Sequence, residues 1–319
     1  MRSSLARLAA WLPILKRDKT ALLSLVAGLA AILLIVYSLI VRVQMFSLGT
    51  SLWNDEALLA DNIVGKSFAQ ILTPPMSNLP TTSAGYLIIE KGLVHVFGTA
   101  EWVLRLYSLI ALVLLLIVQG IVLRKVFHTP LVFALLSVAL SSVFYYYMNY
   151  SAEVKPYMGD ALFSVLVILM YFLFRRGRIG PVILGLSFSV CLVMSSPAVF
   201  FVAGTLLVEF AAKLRRRDFR SARRVILAGA ICLAVFIVHY LLWLRPISTV
   251  PELTSFWQWR AFDFRLWRSG ALSRDLGLVS ALFLQLGAAK LLLLCLAGGG
   301  ERFCCSRKIS THYRLPCHF

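Results

Sequence analysis

Long apolar runs separated by short polar stretches recur along this chain. Several runs exceed the roughly 18 residues that mark a membrane-spanning helix. We therefore predict an all-α fold, a polytopic bundle of about eight spans over residues 1–298, followed by an irregular cytoplasmic tail at 299–319. The predicted spans are residues 21–41, 102–123, 131–147, 157–174, 181–194, 197–212, 225–244 and 276–297.

Composition and charge support this interpretation. The mean hydropathy is +0.84, with 60% hydrophobic and 14% charged residues. The net charge of +18 alone would suit a nucleic-acid-binding protein, but the basic residues fall in short clusters between apolar runs. Under the positive-inside rule such clusters mark cytoplasmic loops. We expect no nucleic-acid partner, and we predict a multi-pass protein of the cell (inner) membrane with a cytoplasmic N-terminus and a retained first helix.

The segment between the first two spans carries an acidic excess and is predicted to be extracytoplasmic. Asn54 or Asp55 can cap a short helix whose apolar positions recur at helical spacing and which Gly65 can end. Residues 84–97 form a second apolar stretch that is too short to span a membrane. We expect these two helices to lie in the interface plane above the bundle.

The adjacent carboxylates Asp55 and Glu56 are the first candidate site residues. One interpretation is structural, because acidic residues in a first turn are stabilised by the helix dipole. The other is catalytic, because a carboxylate at the water boundary can take a proton from a hydroxyl as its oxygen attacks. The sequence alone leaves both open.

A second candidate array follows the third span and contains Glu153, Lys155, Tyr157 and Asp160. If one helix includes Glu153, Tyr157 and Asp160, their i, i+4, i+7 spacing places them on one face. Asp160 then lies a turn or more inside the membrane, where ionisable groups usually face the bundle interior. The alternative is an interfacial cluster in which Lys155 pairs with Glu153.

Arg105 is the third candidate, early in the second span. It follows Glu101 by four residues, so an i, i+4 ion pair is the plain interpretation. A guanidinium near the external interface also suits a lipid phosphate, since its fork matches phosphate oxygens.

These three features occur in order in the segments SLWNDEALLADNI, FGTAEWVLRLYSL and YYMNYSAEVKPYMGDALF. Together they resemble the C-type-fold membrane glycosyltransferases, in particular the bacterial relatives of protein O-mannosyltransferases and of the lipid A aminoarabinose transferase. That family carries an Asp-Glu pair in the first external loop, an Arg between leucines at the start of the second helix and a Tyr-Ser-x-Glu-x-Arg-x-Tyr motif that opens the fourth. The resemblance covers roughly residues 45–180, and Lys155 stands where Arg is usual.

The resemblance implies a glycosyltransferase with a polyprenyl-phosphate-linked sugar as donor. The sugar would pass, with inversion and on the extracytoplasmic face, to a hydroxyl or amine of a lipid, glycan or protein acceptor. Asp55 would be the catalytic base, and Arg105 and Lys155 would stabilise the departing phosphate. Glu56 and Glu153, with Tyr157 and Asp160, would bind substrate. Glu56 and Glu153 would orient sugar hydroxyls or the acceptor or hold a divalent cation; no other cofactor and no defined metal site is implied.

Two other interpretations remain. Residues 299–319 have no apolar period and half of the six cysteines, which we interpret as a truncated or frame-shifted end, so that the chain would be a non-catalytic remnant of such an enzyme. Alternatively the chain is a secondary transporter or lipid flippase in which Asp160 and Lys290 line a path.

Overall fold

The computed structural model describes residues 19–48, 51–74 and 82–251, and all regular structure within them is helical. The predicted span 276–297, with Lys290, and the tail 299–319 lie outside these residues. In chain order the helices are α1 Lys19–Ser47, α2 Asn54–Gly65, α3 Phe68–Ile71, α4 Ala84–Phe97, α5 Glu101–Ile121, α6 Leu131–Ser142, α7 Tyr145–Tyr150, α8 Tyr157–Arg175, α9 Pro181–Met194, α10 Ala198–Arg215, α11 Phe219–His239 and α12 Arg245–Ser248. Two π-helical turns, Val122–Val126 and Tyr240–Leu244, directly follow α5 and α11.

Among the described residues, four helical stretches are long and apolar enough to cross a membrane. They are Thr20–Phe46, Glu101–Val126, Tyr157–Arg175 and Phe219–Ser248. Helices α6 and α9 are apolar but shorter, and α10 carries Glu209, Lys213 and Arg215 near its end. The all-α prediction and the membrane character are thus supported, while the number of eight spans stays a prediction.

Apolar side chains cover much of the outer surface. On α1, Leu23, Leu33 and Val43 are each more than half exposed. Soluble monomers rarely expose contiguous apolar patches of such extent, so this surface is compatible with a lipid environment.

The helices pack as a series of neighbours. Helix α1 lies on α6, α5 lies on α8, α8 contacts α9 and α10, and α9 lies on α11. One buried apolar cluster joins α2, α4, α5 and the first half of α8, and includes Leu59, Tyr86, Leu104 and Met158. A second joins the last half of α8 to α9 and α11. The candidate site lies beside the first cluster.

Helix α2 begins and ends through interactions that fix its position. Its N-cap residue is Trp53, so the prediction that Asn54 or Asp55 caps it was wrong. The Trp53 backbone N–H donates to the Glu56 carboxylate at 2.8 Å. It ends at Gly65, as predicted. From α4, Lys91 Nζ donates to the Ile63 carbonyl at 2.8 Å, which suits the negative end of a helix dipole.

The predicted third span, 131–147, is interrupted. Helix α6 ends at Ser142, and α7 begins after a break at Val143 and Phe144. Arg42 Nη2 donates to the Ser142 carbonyl at 2.6 Å, because the last carbonyls of a helix lack partners within it. The guanidinium compensates for the interrupted helix.

Candidate functional site at the Asp55 end of the bundle

A non-helical segment between α7 and α8, residues 151–156, is the centre of the candidate site. We call it the site loop. Ser108 Oγ, on α5, lies 2.7 Å from the Glu153 carbonyl oxygen and 3.0 Å from that of Lys155, so its hydroxyl proton is placed between two acceptors. Ser108 and Ser151 are both fully buried. The loop is therefore held from below by the helix that also carries Arg105.

Glu56 fixes the loop to α2. Its side chain is only 3% exposed. Oε2 accepts from the Trp53 N–H at 2.8 Å, and Oε1 accepts from the Val154 N–H at 2.6 Å. Both carboxylate oxygens thus serve the backbone. This arrangement positions Asp55, the preceding residue, at the edge of the loop.

Arg42, which the sequence analysis did not place in the site, holds the other end of the loop. Its Nε donates to Ser151 Oγ at 2.9 Å and its Nη1 donates to the Ser38 carbonyl at 2.9 Å. The residue is fully buried. The signal in the sequence is that Arg42 is the one charged residue in the apolar stretch Thr20–Phe46, where a charge usually has a specific partner.

Asp55 and Lys155 form an ion pair, with 3.1 Å between Oδ2 and Nζ. The Asp55 side chain is 63% exposed, whereas that of Lys155 is 17% exposed. The carboxylate therefore faces solvent while its ammonium partner sits in the protein surface. The alternative in which Lys155 pairs with Glu153 is replaced by this contact across the site loop.

Glu153 lies close to several charges. Burial raises its pKa, Glu56 raises it further, and Lys155 and Arg105 partly offset both effects. Arg105 is itself only 4% exposed. Lys155 is therefore the more accessible of the two predicted phosphate-binding cations.

The array on the fourth predicted span is only partly helical. Helix α8 begins at Tyr157, so Glu153 lies on the loop and does not share a helical face with Tyr157 and Asp160. Tyr157 is exposed and its ring meets that of Tyr150 edge-on, with 4.6 Å between the centroids. Asp160 lines a cavity of about 310 Å³ together with Thr82, Tyr157 and Ser196.

A buried polar cluster, which sequence analysis missed, lies on α4 and α5. Tyr86 and Glu90 are fully buried, and Tyr107 is nearly so. The rings of Tyr86 and Tyr107 meet edge-on with 4.9 Å between their centroids. Burial raises the pKa of Glu90 to about 9, and the nearby Tyr86 hydroxyl opposes this only partly. Glu90 lies in an apolar stretch predicted to be helical, and an ionisable residue in such a stretch indicates a buried polar contact.

The site brings most predicted residues to one end of the bundle. Glu153 and Lys155 belong to the site loop, Asp55 and Glu56 contact it from α2, and Arg105 lies near Glu153. Among the described residues, no group of three or more His, Cys, Asp or Glu side chains is arranged to hold a metal ion. The arrangement places the exposed Asp55 carboxylate beside the Lys155 ammonium group. The charged side chains of Glu56 and Arg105 are buried nearby.

No protein-family profile, curated protein or solved structure matches this chain. The fold defines the class of protein as helical and compatible with a membrane.

Proposed function

We propose that this chain is a membrane glycosyltransferase. It moves a sugar from a polyprenyl-phosphate donor to a hydroxyl or amine acceptor on the extracytoplasmic face, with inversion at the anomeric carbon. The observation that carries the proposal is the Asp55–Lys155 pair, in which an exposed carboxylate lies 3.1 Å from an ammonium group. One group is suited to taking a proton and the other to meeting a phosphate.

Asp55 is assigned as the base. The acceptor oxygen bonds to the anomeric carbon while the bond from that carbon to the phosphate oxygen breaks, and the bonding electrons leave with the phosphate. The acceptor proton passes to an Asp55 carboxylate oxygen during this step. The carboxylate is accessible to an acceptor arriving from solvent because the side chain is 63% exposed.

Lys155 is assigned to the departing phosphate. A cation placed in advance where negative charge develops stabilises the transition state without reorganisation during the reaction. Arg105 is too buried to be the main contact and acts through the field it exerts beside Glu153. Glu56 is a positioning residue, because its two oxygens hold the backbone N–H of Trp53, two residues before Asp55, and that of Val154, directly before Lys155.

The cavity beside Asp160 is the proposed binding place of the sugar or the acceptor. It combines polar groups from Thr82, Tyr157 and Ser196 with a carboxylate. Such a mixture of apolar walls and a few polar groups is typical of small-ligand sites. It adjoins the site loop, since Pro156 is part of its wall.

The test is donor consumption by membranes that contain the full chain. A panel of radiolabelled polyprenyl-phosphate sugars is offered, and release of label from the lipid phosphate is measured for the parent, Asp55→Asn and Lys155→Met. General-base catalysis contributes about a hundredfold or more, so Asp55→Asn should lose at least that factor. The matched control is Asp61→Asn, an exposed residue on the same helix, which should change the rate less than about twofold.

Two results would overturn the proposal. If Asp55→Asn inserts like the parent and keeps its rate, Asp55 is not the base. If the correctly inserted parent consumes no donor from the panel, the chain is not a transferase of this class.

A further inference from the structure

A groove lies at the opposite end of α5 from the candidate site. It is an open groove formed by α5, its π-helical turn Val122–Val126 and α6, with a volume of about 380 Å³. Its walls are almost entirely apolar, with Ile117, Ile121, Leu131 and Leu135 among them. Arg124 and Lys125 stand at its end. We call it the α5–α6 groove.

The groove lies a membrane's thickness away from the site. Arg124 follows Arg105 by 19 residues along one continuous helical stretch. At about 1.5 Å per residue this is roughly 28 Å, close to the hydrocarbon thickness of about 30 Å. If the Asp55 end lies at one membrane surface, Arg124 and Lys125 lie at the other.

The cations at the end of the groove lack an ion-pair partner among the described residues. Arg124 and Lys125 are exposed, and neither takes part in an ion pair formed among the described residues. The π-helical turn packs on α8, and His128 Nε2 lies 3.4 Å from Arg176 Nη2, which brings a further guanidinium to the same end. A carboxylate at this end, Glu209, already pairs with Arg175 and Lys213, and Asp218 accepts from the Ser221 N–H.

The geometry also presents Arg124 in a fixed position. Its Nη1 donates to the Thr129 carbonyl at 2.6 Å, which uses one of the five guanidinium N–H groups. The others can donate to an anion beside Lys125. An anion that also carries a long apolar chain would fill the groove and meet both cations at once.

From this juxtaposition we infer that the α5–α6 groove binds an anionic phospholipid. One acyl chain lies along Ile117, Ile121 and Leu135, and the phosphate accepts hydrogen bonds from Arg124 and Lys125. A free phosphate would leave the apolar walls without an occupant, whereas an uncharged lipid would leave the two cations without an anion. Basic pockets between helices at a membrane surface recognise lipid headgroups through this combination.

The test uses the full chain in lipid nanodiscs of phosphatidylcholine, with and without phosphatidylglycerol. Lipid retained on release from the disc is counted by native mass spectrometry, and Tm is measured in parallel. The variant is Arg124→Gln with Lys125→Gln. The matched control is Arg215→Gln with Arg216→Gln, an exposed basic pair at the end of α10 with the same change in charge.

The parent should retain phosphatidylglycerol in preference to phosphatidylcholine, and its Tm should rise with phosphatidylglycerol. Each cation near an anionic headgroup contributes about 1 kcal/mol, so the Arg124/Lys125 variant should lose about tenfold or more of this preference. The control pair should change it less than about twofold. Equal loss in both pairs would show a general surface-charge effect and overturn the inference.

Occupation of the groove itself is tested by Gly120→Met. A Cβ at Gly120 meets only Val138 Cγ2, at 3.8 Å, so a longer side chain has room to enter the groove. It should reduce phosphatidylglycerol retention while both cations remain; unchanged retention would overturn the acyl-chain placement. If the double variant does not fold, phosphatidylglycerol retention is measured on Lys125→Gln alone. This variant loses a charge whose side chain makes no hydrogen bond to the described residues.

Adding inorganic phosphate to the protein in detergent distinguishes a phospholipid headgroup from free phosphate as the bound anion. It should leave the Tm of the parent unchanged. A rise in Tm that disappears in the Arg124/Lys125 variant would assign the site to free phosphate and overturn the lipid.

Discussion

The Val154 N–H donates a 2.6 Å hydrogen bond to Oε1 of Glu56, a residue 98 positions earlier in the chain. The same carboxylate accepts from the Trp53 N–H through its other oxygen. One buried side chain therefore defines both the start of α2 and the path of the site loop. The geometry of Asp55 and Lys155 depends on it.

Replacing Glu56 should therefore destabilise the protein. Glu56→Ala leaves the buried Val154 N–H and the part-buried Trp53 N–H without this acceptor, a loss of about 3 kcal/mol. Glu56→Gln should be little better, because its amide NH₂ would face one of these donors. Thermal unfolding of the purified full chain measures the effect. Glu101→Ala, at an exposed acidic position in the first turn of α5, is the control, and an equal Tm for Glu56→Ala and the parent would contradict the prediction.

Arg42 should be irreplaceable by lysine. Its Nε, Nη1 and Nη2 donate to three different acceptors on α1, α6 and the site loop, whereas an ammonium cannot reproduce that planar arrangement. Arg42→Lys and Arg42→Met should both lower stability, by about 3 kcal/mol for the methionine variant, because it leaves buried acceptors without a donor. Limited proteolysis near residues 143–156 reports loosening of the loop. The exposed Arg178→Met serves as the control; full protection in Arg42→Lys would refute the claim.

Glu90 should make stability depend on pH. Burial raises its pKa from 4.5 to about 9, so between these values the folded chain holds a proton that the unfolded chain has lost. Stability contributed by this group is complete below pH 4.5 and falls as pH rises towards 9. Glu90→Gln removes this loss, so its Tm advantage over the parent should be larger at pH 8 than at pH 5. A parallel pH dependence in both proteins would show that Glu90 does not titrate in this way, and Glu101→Gln should leave the slope unchanged.

Gly159 should not tolerate a side chain. A Cβ there would overlap the Tyr107 hydroxyl and lie 2.8 Å from its Cζ, so Gly159→Ala forces α5 and α8 apart, at a cost of about 1–3 kcal/mol. Gly204→Ala, where nothing lies within 4 Å, is the matched control and should be neutral or slightly stabilising. Tyr107→Phe removes the worst overlap, so the double variant should recover part of the lost Tm. No recovery would place the strain elsewhere.

The prediction of an all-helical fold came from features that are local in the chain. Length and apolar content identify Thr20–Phe46, Glu101–Val126, Tyr157–Arg175 and Phe219–Ser248 as helices able to cross a membrane, because the cost of leaving backbone groups unpaired in lipid imposes helix on any such run. The end of α2 at Gly65 was predictable for the same reason, since a helix terminus depends on a few neighbouring residues.

The candidate site was predictable only as a set of residues. The sequence placed Asp55 after the first span, Arg105 early in the second and Glu153 after the third, which indicated one end of the bundle. In the structure Glu153 lies on the site loop, and Asp55 and Arg105 lie beside it. Their partners were not predictable. Lys155 pairs with Asp55 rather than Glu153, and Glu56 binds backbone N–H groups rather than presenting free oxygens.

By itself the sequence determined that the fold is helical, that four of its helices are long and apolar, and which types of residue lie at the Asp55 end. Only the tertiary structure decided that α6 stops at Ser142, that Arg42 caps it, that α8 starts after Glu153, and that Glu90 is buried beside Tyr86. The physical reason is that helix formation depends on neighbours along the chain. A charge or hydrogen-bonding group deep in the protein is instead placed by distant partners, such as Ser142 for Arg42 and Val154 for Glu56, which only packing brings together.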